Sequence, residues 1–269
     1  MPELPEVETV ANGLHQRVAG DRIESLWLGP KKEPLKSPAQ ELTRALEGAE
    51  IRGVRRVGKH IVFDLNGKPA GRRQWIVHLG MTGRMVVTTP QEAIAPHTHA
   101  IAKLESGREL RFVDPRRFGR LSVARQEFTG PGTEPLTVSA EDFVALFRNR
   151  KTPIKAALLN QKLLHGVGNI YADESLFRAG IRPKRQAGRL TRDELIRLHK
   201  AVRKVLKEAI RLGGSSVSDY VDADGDEGFF QLRHRVYMRT GEPCYTCKTP
   251  IKRIELAGRG THYCPRCQK

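Results

Sequence analysis

The sequence predicts an α+β protein with a leading helix, an N-terminal two-sheet β-sandwich, a helical region and a C-terminal zinc finger. The sandwich prediction rests on eight short β-patterned runs with no long helix between them, which argues against a parallel α/β sheet and leaves a barrel as the alternative. These runs are residues 23–28, 51–57, 61–65, 75–79, 85–88, 100–104, 109–113 and 121–124. Beyond residue 135 apolar residues recur at helical spacing, and all four cysteines lie in the last 26 residues.

The charge balance indicates a polyanionic partner. The 269 residues carry a formal net charge of +17 and a pI of about 10.1. Phosphates or anionic lipid headgroups would neutralise such a surface, and a merely solvated basic surface is the alternative. The apolar content of 39% suits two modest domains. No run reaches the roughly 20 apolar residues of a spanning helix, and the start lacks the layout of a signal peptide, so we expect a cytoplasmic protein.

The first residues form a candidate nucleophilic site. Removal of the initiator methionine would free the secondary amine of Pro2, whose pKa is roughly 8, like that of any α-amino group. Such an amine attacks carbonyl carbon, and the adjacent Glu3 carboxyl can donate a proton to the reacting group. While Met1 is attached, the Pro2 nitrogen is an amide and cannot attack. The alternative is a proline that only begins the helix predicted over residues 6–19.

Three connections between β-runs carry side chains that are unusual for turns. Lys59 follows Gly58 where a hairpin tip is predicted, and an exposed turn lysine is the ordinary interpretation. Met81 lies between glycines in the segment HLGMTG, and Arg116 and Phe118 lie in the segment DPRRFG. A flexible apolar side chain contributes little to a core from such a turn. These residues are therefore candidates for contact with a partner.

Residues 128–135 are rich in glycine and proline and predict a linker. We therefore divide the chain into an N-terminal domain over residues 1–131, a helical domain over 132–236 and a finger over 237–269. Within the helical domain, N-cap signals at Ser139, Thr152 and Thr191 predict helix starts. A turn from Gly166 to Asn169 separates two helices and can present backbone N–H groups to a phosphate, although an ordinary helical hairpin has the same signature.

The cysteines predict one structural zinc ion. Cys244 and Cys247 form one CxxC pair, and sixteen residues later Cys264 and Cys267 form another, a spacing typical of a tetrahedral thiolate site. His97 and the histidine two residues later would share a strand face, but no nearby carboxylate or cysteine completes a ligand set. The acidic residues 219–228 lack the twelve-residue spacing of a calcium loop, so we favour a flexible acidic loop.

Several of these segments together resemble one enzyme family. The N-terminus MPELPEVET, the segments HLGMTG and DPRRFG, the helical segment LHGVGNIYADE and the paired cysteines resemble the bacterial formamidopyrimidine-DNA glycosylases, bifunctional enzymes of base-excision repair. The resemblance covers nearly the whole chain. It implies a helix-two-turns-helix motif in the helical domain, a finger hairpin over residues 258–264 and a mobile lid near residues 219–228.

The resemblance also implies roles for individual residues. Pro2 would form a Schiff base with the deoxyribose C1′, Glu3 would protonate the sugar, Lys59 would assist β-elimination and Arg259 would assist δ-elimination. The residues implied to fill the gap left by an extruded nucleotide are Met81, Arg116 and Phe118. The residues implied to contact the DNA backbone are His97, Arg150 and Asn169. Taken without the resemblance, Arg259 would be read as a solvated arginine.

The implied activity is excision of oxidised bases, with 8-oxoguanine and formamidopyrimidines as the expected lesions, followed by β,δ-elimination. The expected partner is double-stranded DNA that contains a damaged base, the expected state is a monomer, and no organic cofactor is implied. The segment GDEGFFQLRHRVYMR departs from the family's common GKPGYF and VYGR, which leaves a preference for oxidised pyrimidines open. A non-catalytic zinc-containing binder of damaged DNA would keep the finger and the basic face but have a blocked N-terminus.

Overall fold

The computed structural model describes residues 1–67, 72–216 and 228–269, with Arg72 described in its backbone only. The chain forms two compact units, Met1–Thr129 with Gly213–Gly228, and Gly130–Leu212 with Phe229–Lys269. No helix in the described ranges is long and apolar enough to cross a membrane. The acidic loop considered for calcium and for the lid lies, up to residue 227, outside the described residues. The division into three domains at residues 131 and 236 stays a prediction.

The first unit contains two four-stranded antiparallel sheets, with strand orders β1-β6-β7-β5 and β2-β3-β4-β8. The strands are β1 Ile23–Leu28, β2 Glu50–Val57, β3 His60–Asn66, β4 Arg72–His78, β5 Arg84–Thr88, β6 Thr98–Leu104, β7 Glu109–Val113 and β8 Arg120–Ala124. Each of the eight predicted runs forms one strand. The two-sheet sandwich is therefore confirmed, and the two sheets are separate rather than closed into a barrel.

Helix α1, Leu4–Val18, is held on the sheets by one apolar face. Its Val7 and Leu14 are fully buried in the same core as Phe63 and Trp75, whose rings stack with centroids 4.9 Å apart. Burying one such aliphatic side chain stabilises the fold by roughly 1.5–3 kcal/mol relative to leaving it exposed. The face therefore fixes the helix, and with it the N-terminal residues of the chain.

A short helix, α2 at Ala39–Leu46, lies between β1 and β2 and was not predicted. It begins after Pro38, whose φ of −54° suits a helix start, and buries Leu42, Ala45 and Leu46. The spacing of these three residues is that of one helical face. The signal was present in the sequence, but it extends over only eight residues and was hidden among β-patterned runs.

The second unit is helical and ends in a two-stranded hairpin. Its elements are α3 Ala140–Phe147, α4 Ile154–Leu159, α5 Asn169–Ala179, α6 Arg192–Arg211, β9 Lys252–Leu256 and β10 Arg259–Tyr263. The predicted caps hold α3 and α6, because Ser139 Oγ accepts the Asp142 N–H at 3.0 Å and Thr191 Oγ1 accepts the Glu194 N–H at 3.2 Å. A left-handed Gly180, with φ of 70°, ends α5.

Helix α4 is shorter than its apolar pattern predicts, and its cap differs. Pro153 rather than Thr152 occupies the N-cap position, and the helix ends at Leu159. The Asn160 side chain accepts the backbone N–H of Lys162 at 3.0 Å, which offers the backbone an alternative to continued helix. The last predicted helical turn is therefore a separate turn.

Candidate active site

The N-terminal pair Pro2 and Glu3 is buried at the start of α1, with Glu3 only 5% exposed. The Glu6 carboxylate, itself 2% exposed, accepts the Glu3 N–H at 2.8 Å through Oε2 and the Ser215 N–H at 2.7 Å through Oε1. Gly214 has φ of 85°, and a Cβ there would lie 2.8 Å from Glu6 Oε1. Glu6 thus joins the start of the chain to a segment more than two hundred residues later.

Lys59 lies in the two-residue turn between β2 and β3 and is only 8% exposed, so it is not an exposed turn lysine. Gly58 precedes it with φ of 60°, as tight hairpin turns require. The Arg56 guanidinium donates to Glu8 Oε2 at 2.5 Å and to the Gly58 carbonyl at 3.2 Å. Arg56 therefore ties the hairpin tip to α1, the helix that begins immediately after Glu3.

The loops that carry Met81 and Phe118 pack directly against each other. The buried Asp114 carboxylate accepts the Thr82 hydroxyl at 2.6 Å and the Gly119 N–H at 2.7 Å. At Gly80, whose φ is 67°, a Cβ would lie 2.5 Å from the Gly119 nitrogen. The close approach of the loops therefore depends on a glycine at position 80, and Asp114 holds both loops in one arrangement.

These two loops expose apolar side chains. Met81 is 41% exposed and Phe118 is 49% exposed. The Arg116 guanidinium carbon lies 4.9 Å from the centroid of the Phe118 ring, within the range of a cation–π contact. A rigid support that presents an exposed methionine, an aromatic ring and an arginine is suited to insertion between partner groups.

His97 and His99 do not share a strand face. His97 is exposed, lies before β6 and has φ of 64°, whereas His99 is 4% exposed and its Nε2 lies 2.9 Å from the Asp114 carbonyl oxygen. The expectation that the two histidines share one strand face is therefore wrong, because His97 lies outside β6.

In the second unit, two consecutive turns separate α4 from α5. Gln161 holds both turns, since its Nε2 donates to the Leu159 carbonyl at 2.8 Å and the Val167 carbonyl at 2.9 Å, and its Oε1 accepts the Gly166 N–H at 2.9 Å. Asn169 is the first residue of α5. The backbone N–H groups of a helix N-terminus are an anion-binding arrangement, and Asn169 lies directly at it.

Arg259 is exposed at the start of β10, directly after a two-residue turn. Both turn residues, Ala257 and Gly258, have positive φ, of 52° and 68°, as a type I′ hairpin turn requires. The carbonyl oxygen of the next residue, Gly260, accepts a hydrogen bond of 3.0 Å from Nδ2 of the Asn169 side chain. The structure therefore places Asn169 against the residue that follows Arg259 in β10.

A buried ion pair supports this arrangement. Lys155 on α4 and Asp173 on α5 are both fully buried, and their charged atoms lie 2.7 Å apart. The same Lys155 ammonium donates to Thr261 Oγ1 at 2.8 Å and to the Gly260 carbonyl at 3.1 Å, while Asp173 Oδ2 accepts the His262 N–H at 2.8 Å. One charge pair therefore joins both helices to the strand that Arg259 begins.

Arg150 follows α3 and is exposed. Its Nε donates to the Leu146 carbonyl at 2.5 Å, so part of its guanidinium binds the end of its own helix. A contact with a phosphate would use the other guanidinium nitrogens. Gly188 packs against this backbone, because a Cβ there would lie 2.7 Å from the Arg150 nitrogen.

The four cysteines fit a zinc ion. Their Sγ atoms lie within 4.8 Å of one another, with Cys244 3.9 Å from Cys267 and Cys247 3.4 Å from Cys264. Thiolates bound at about 2.3 Å around a tetrahedral zinc lie about 3.8 Å apart, whereas a disulfide needs about 2.05 Å. The donor set would hold one zinc with no open coordination position, which suits a structural ion.

Sequence reasoning missed the residues that hold the site rather than form it. They carry charged or amide side chains that are buried or, for Gln161, half-buried: Glu6, Asp114, Lys155, Gln161, Asp173 and Glu174. Glu174 accepts the backbone N–H groups of residues 235–237 at 2.9–3.0 Å, and burial raises the pKa of its carboxyl. Lys155 within the apolar helix sequence IKAALL was the one signal in the sequence of such a buried residue, because a lysine is buried only when its charge is paired.

Three family models match consecutive parts of the chain. The formamidopyrimidine-DNA glycosylase N-terminal domain matches residues 1–121, the formamidopyrimidine-DNA glycosylase H2TH domain matches residues 130–221, and the zinc finger found in FPG and IleRS matches residues 241–269. With the clustered cysteines, the last match confirms the prediction of one structural zinc.

Relatives and solved structures match over the full length. Formamidopyrimidine-DNA glycosylases from Solibacter usitatus and Listeria monocytogenes are 44% and 42% identical, with 100% of each chain covered. The MutM (Fpg) protein of Thermus thermophilus is 43% identical with a TM-score of 0.87, over 99% of this chain and 98% of that one. A Lactococcus lactis Fpg variant in complex with Fapy-dG containing DNA is 34% identical with a TM-score of 0.91, over 100% of both chains. The chain therefore belongs to the formamidopyrimidine-DNA glycosylase family.

Proposed function

We propose that this protein is a bifunctional DNA glycosylase and AP lyase that excises oxidised bases, chiefly 8-oxoguanine and formamidopyrimidines, from double-stranded DNA. The observation that carries the proposal is the buried Pro2–Glu3 pair at the start of α1, held by Glu6 and adjoined by the Lys59 hairpin through Arg56. A nucleophile must be held by a rigid element if its reacting atoms are to stay in place. Helix α1 is such an element.

In the proposed reaction, removal of Met1 frees the Pro2 amine, which attacks C1′ of the damaged nucleotide. The bond from C1′ to the base breaks, the base leaves with the bonding electrons, and Glu3 donates a proton to the sugar ring oxygen as the ring opens. The resulting iminium acidifies the C2′ hydrogens, so that the 3′-phosphate leaves by β-elimination with assistance from Lys59. Arg259 assists the δ-elimination that releases the 5′-phosphate.

The proposed DNA contacts follow from which candidate side chains are exposed and from the hydrogen bonds that hold their loops in place. Met81, Arg116 and Phe118 would fill the gap left by the extruded nucleotide, where an apolar wedge and an arginine offset an unstacking cost of a few kcal/mol. His97, Arg150 and Asn169 would contact the DNA backbone. The net charge of +17 supports a phosphate-rich partner, and affinity should fall as salt rises because each phosphate contact releases counterions.

We further propose the three domains at residues 1–131, 132–236 and 237–269 as the catalytic, helix-two-turns-helix and finger domains. The cysteine set would hold zinc as a cross-link that gives the finger a fixed fold, which a segment of this size needs. A monomeric protein in the cytoplasm, associated with the nucleoid, fits this activity.

The nucleophile is tested by borohydride trapping. Processed protein incubated with a damaged duplex and borohydride should become covalently attached to DNA, because reduction fixes an iminium. The matched control is the same chain with Met1 retained, in which every lysine is intact and only the Pro2 amine is blocked. Trapping and strand cleavage should both vanish in that control. Trapping at the normal rate in that control would mean that Pro2 is not the nucleophile and that a lysine such as Lys59 becomes the candidate.

Glu3→Gln separates the acid step from the lyase steps. Excision of a base from duplex DNA should fall strongly, whereas cleavage of a preformed abasic site should fall little, since the abasic sugar already offers an open aldehyde. Equal losses on the two substrates would contradict the role of Glu3 as the acid.

A further inference from the structure

A cleft in the first unit lies on the sheet face turned away from the core. It has a volume of about 400 Å³. The charged, imidazole and aromatic side chains that line it are those of Lys36, His60, His78, Phe118, Arg120 and Phe128. The volume is within the range of small-ligand sites. None of the roles proposed above uses Lys36, His60, His78, Arg120 or Phe128.

The sheet register builds this cleft. His60 on β3 is paired with His78 on β4, and His78 is paired with Arg120 on β8, so the three side chains form one row on one face. Their chain neighbours Ile61, Val77 and Leu121 are fully buried in the core on the opposite face. The row is therefore an ordered part of the sheet rather than a chance meeting of loops.

Two aromatic rings form walls of the cleft. Phe128 meets His60 edge to face, with ring centroids 4.9 Å apart, and its backbone N–H donates to Gln74 Oε1 at 2.7 Å. Phe118 lies on the loop that Asp114 holds and is 49% exposed. Exposed aromatic faces on a fixed support stack with flat rings, and nucleobases are the flat rings that proteins bind in this way.

The polar groups of the cleft are hydrogen-bond donors and cations. His78 Nδ1 accepts the Gly80 N–H at 3.1 Å, so the neutral ring carries its proton on Nε2 and donates from there. Burial, with His60, Lys59 and Arg120 nearby, lowers the pKa of His78 to about 4, which keeps the ring neutral at physiological pH. Among the described residues, Arg120 donates through Nη1 to the carbonyl oxygens of Arg117 and Gly119 in its own loop.

Lys36 adds a second cation, and none of the described residues that line the cleft carries a carboxylate. A ligand that matches these groups has an aromatic ring for Phe118 and Phe128 and an anionic group for Lys36 and Arg120. We propose that this cleft binds a nucleotide, with its base against the two phenylalanines and its phosphate between Lys36 and Arg120. The nucleotide is either free or one that flanks the lesion in bound DNA, since both offer the same chemistry.

The first experiment measures binding of deoxyadenosine monophosphate to the full chain labelled with 15N-histidine. The ring signals of His60 and His78 should shift saturably with nucleotide. Deoxyadenosine, which lacks the phosphate, should bind at least tenfold more weakly. The combined change Lys36→Ala and Arg120→Ala should weaken nucleotide binding at least tenfold, whereas Lys103→Ala, at an exposed lysine of β6, should leave it unchanged.

The contribution of stacking is tested by Phe128→Leu, which should weaken nucleotide binding several-fold and weaken deoxyadenosine binding by the same factor. The inference is overturned if millimolar nucleotide gives no saturable shift at His60 and His78. It is also overturned if the charge-removing variant binds as the parent does. Absence of nucleotide binding in protein that is still trapped on abasic DNA would overturn this inference and leave the proposed function standing.

A final titration distinguishes the source of the nucleotide. Unlabelled duplex with an abasic site is added to protein saturated with deoxyadenosine monophosphate. Release of the nucleotide assigns the cleft to a flanking nucleotide of bound DNA, and formation of a complex that holds both ligands assigns it to a free nucleotide.

Discussion

Replacing Lys155 by methionine tests the buried ion pair that holds the finger hairpin on α4 and α5. The substitution keeps the length and apolar part of the side chain but removes the charge. Within the described residues, the fully buried Asp173 would then keep its hydrogen bonds from His262 and lose its charged partner. Leaving one partner of a buried ion pair uncompensated costs about 3–5 kcal/mol, and the Lys155 bonds to Gly260 and Thr261 are lost as well.

The expected result is a loss of about 3–5 kcal/mol in the free energy of unfolding of the second unit. Urea unfolding of zinc-saturated protein, followed by far-ultraviolet circular dichroism, measures it. Adding Asp173→Asn removes the uncompensated charge and should recover part of the loss, so that the double variant loses less stability than the sum of the two single variants. The matched control is Lys151→Met at an exposed lysine, which should change stability by less than about 0.5 kcal/mol.

Two results would refute this reasoning. One is a Lys155→Met protein that loses less than about 1 kcal/mol, as an exposed pair would. The other is a double variant whose loss equals the sum of the single losses, which would mean that the two charges do not interact.

Three further predictions concern other parts of the molecule. Changing Cys244 and Cys247 to serine should remove the zinc and the DNA affinity, and elemental analysis that still finds one zinc per chain would contradict this. The pKa of His78 is about 6.5 in the unfolded chain and about 4 in the folded protein, so the unfolded chain takes up the proton first as the pH falls. His78 should therefore leave the free energy of unfolding unchanged above pH 6.5 and lower it by at most about 3 kcal/mol between pH 6.5 and pH 4. His78→Gln should remove that part of the slope, and His97→Asn, at an exposed histidine, should keep it. Gly80→Ala, which puts a Cβ 2.5 Å from the backbone of the neighbouring loop, should impair excision from duplex more than cleavage of an abasic site, and equal losses would count against the wedge.

Local features of the fold were predictable. The strands, the caps at Ser139 and Thr191 and the stop at Gly180 all follow from side chains within a few residues of the feature. The exceptions are also local. Helix α2 is too short for its period to stand out among strands, and α4 ends early because Asn160 competes for the backbone.

The site was predictable only in part. The candidate residues Pro2 and Glu3 and the cysteines are recognisable by chemical type and position, and the other candidate residues came from the resemblance to the family. The burial of the Lys59 side chain was not predictable, because its 8% exposure depends on which residues pack over the hairpin. The exposure of His97 and burial of His99 likewise depend on where β6 begins.

The sequence by itself determined the strands, most helix limits, the zinc ligand set and the family. Hydrophobic periodicity, helix capping and motif spacing depend on residues that are close together in the chain, so they can be recognised from the sequence alone. Only the tertiary structure decided that Glu6 binds Ser215, 209 positions away, and that Lys155 reaches Thr261, 106 positions away. Only it decided which side chains form the row of His60, His78 and Arg120. Such contacts join residues that are far apart in the chain and produce no recognisable sequence pattern, because burial and sheet register bring them together.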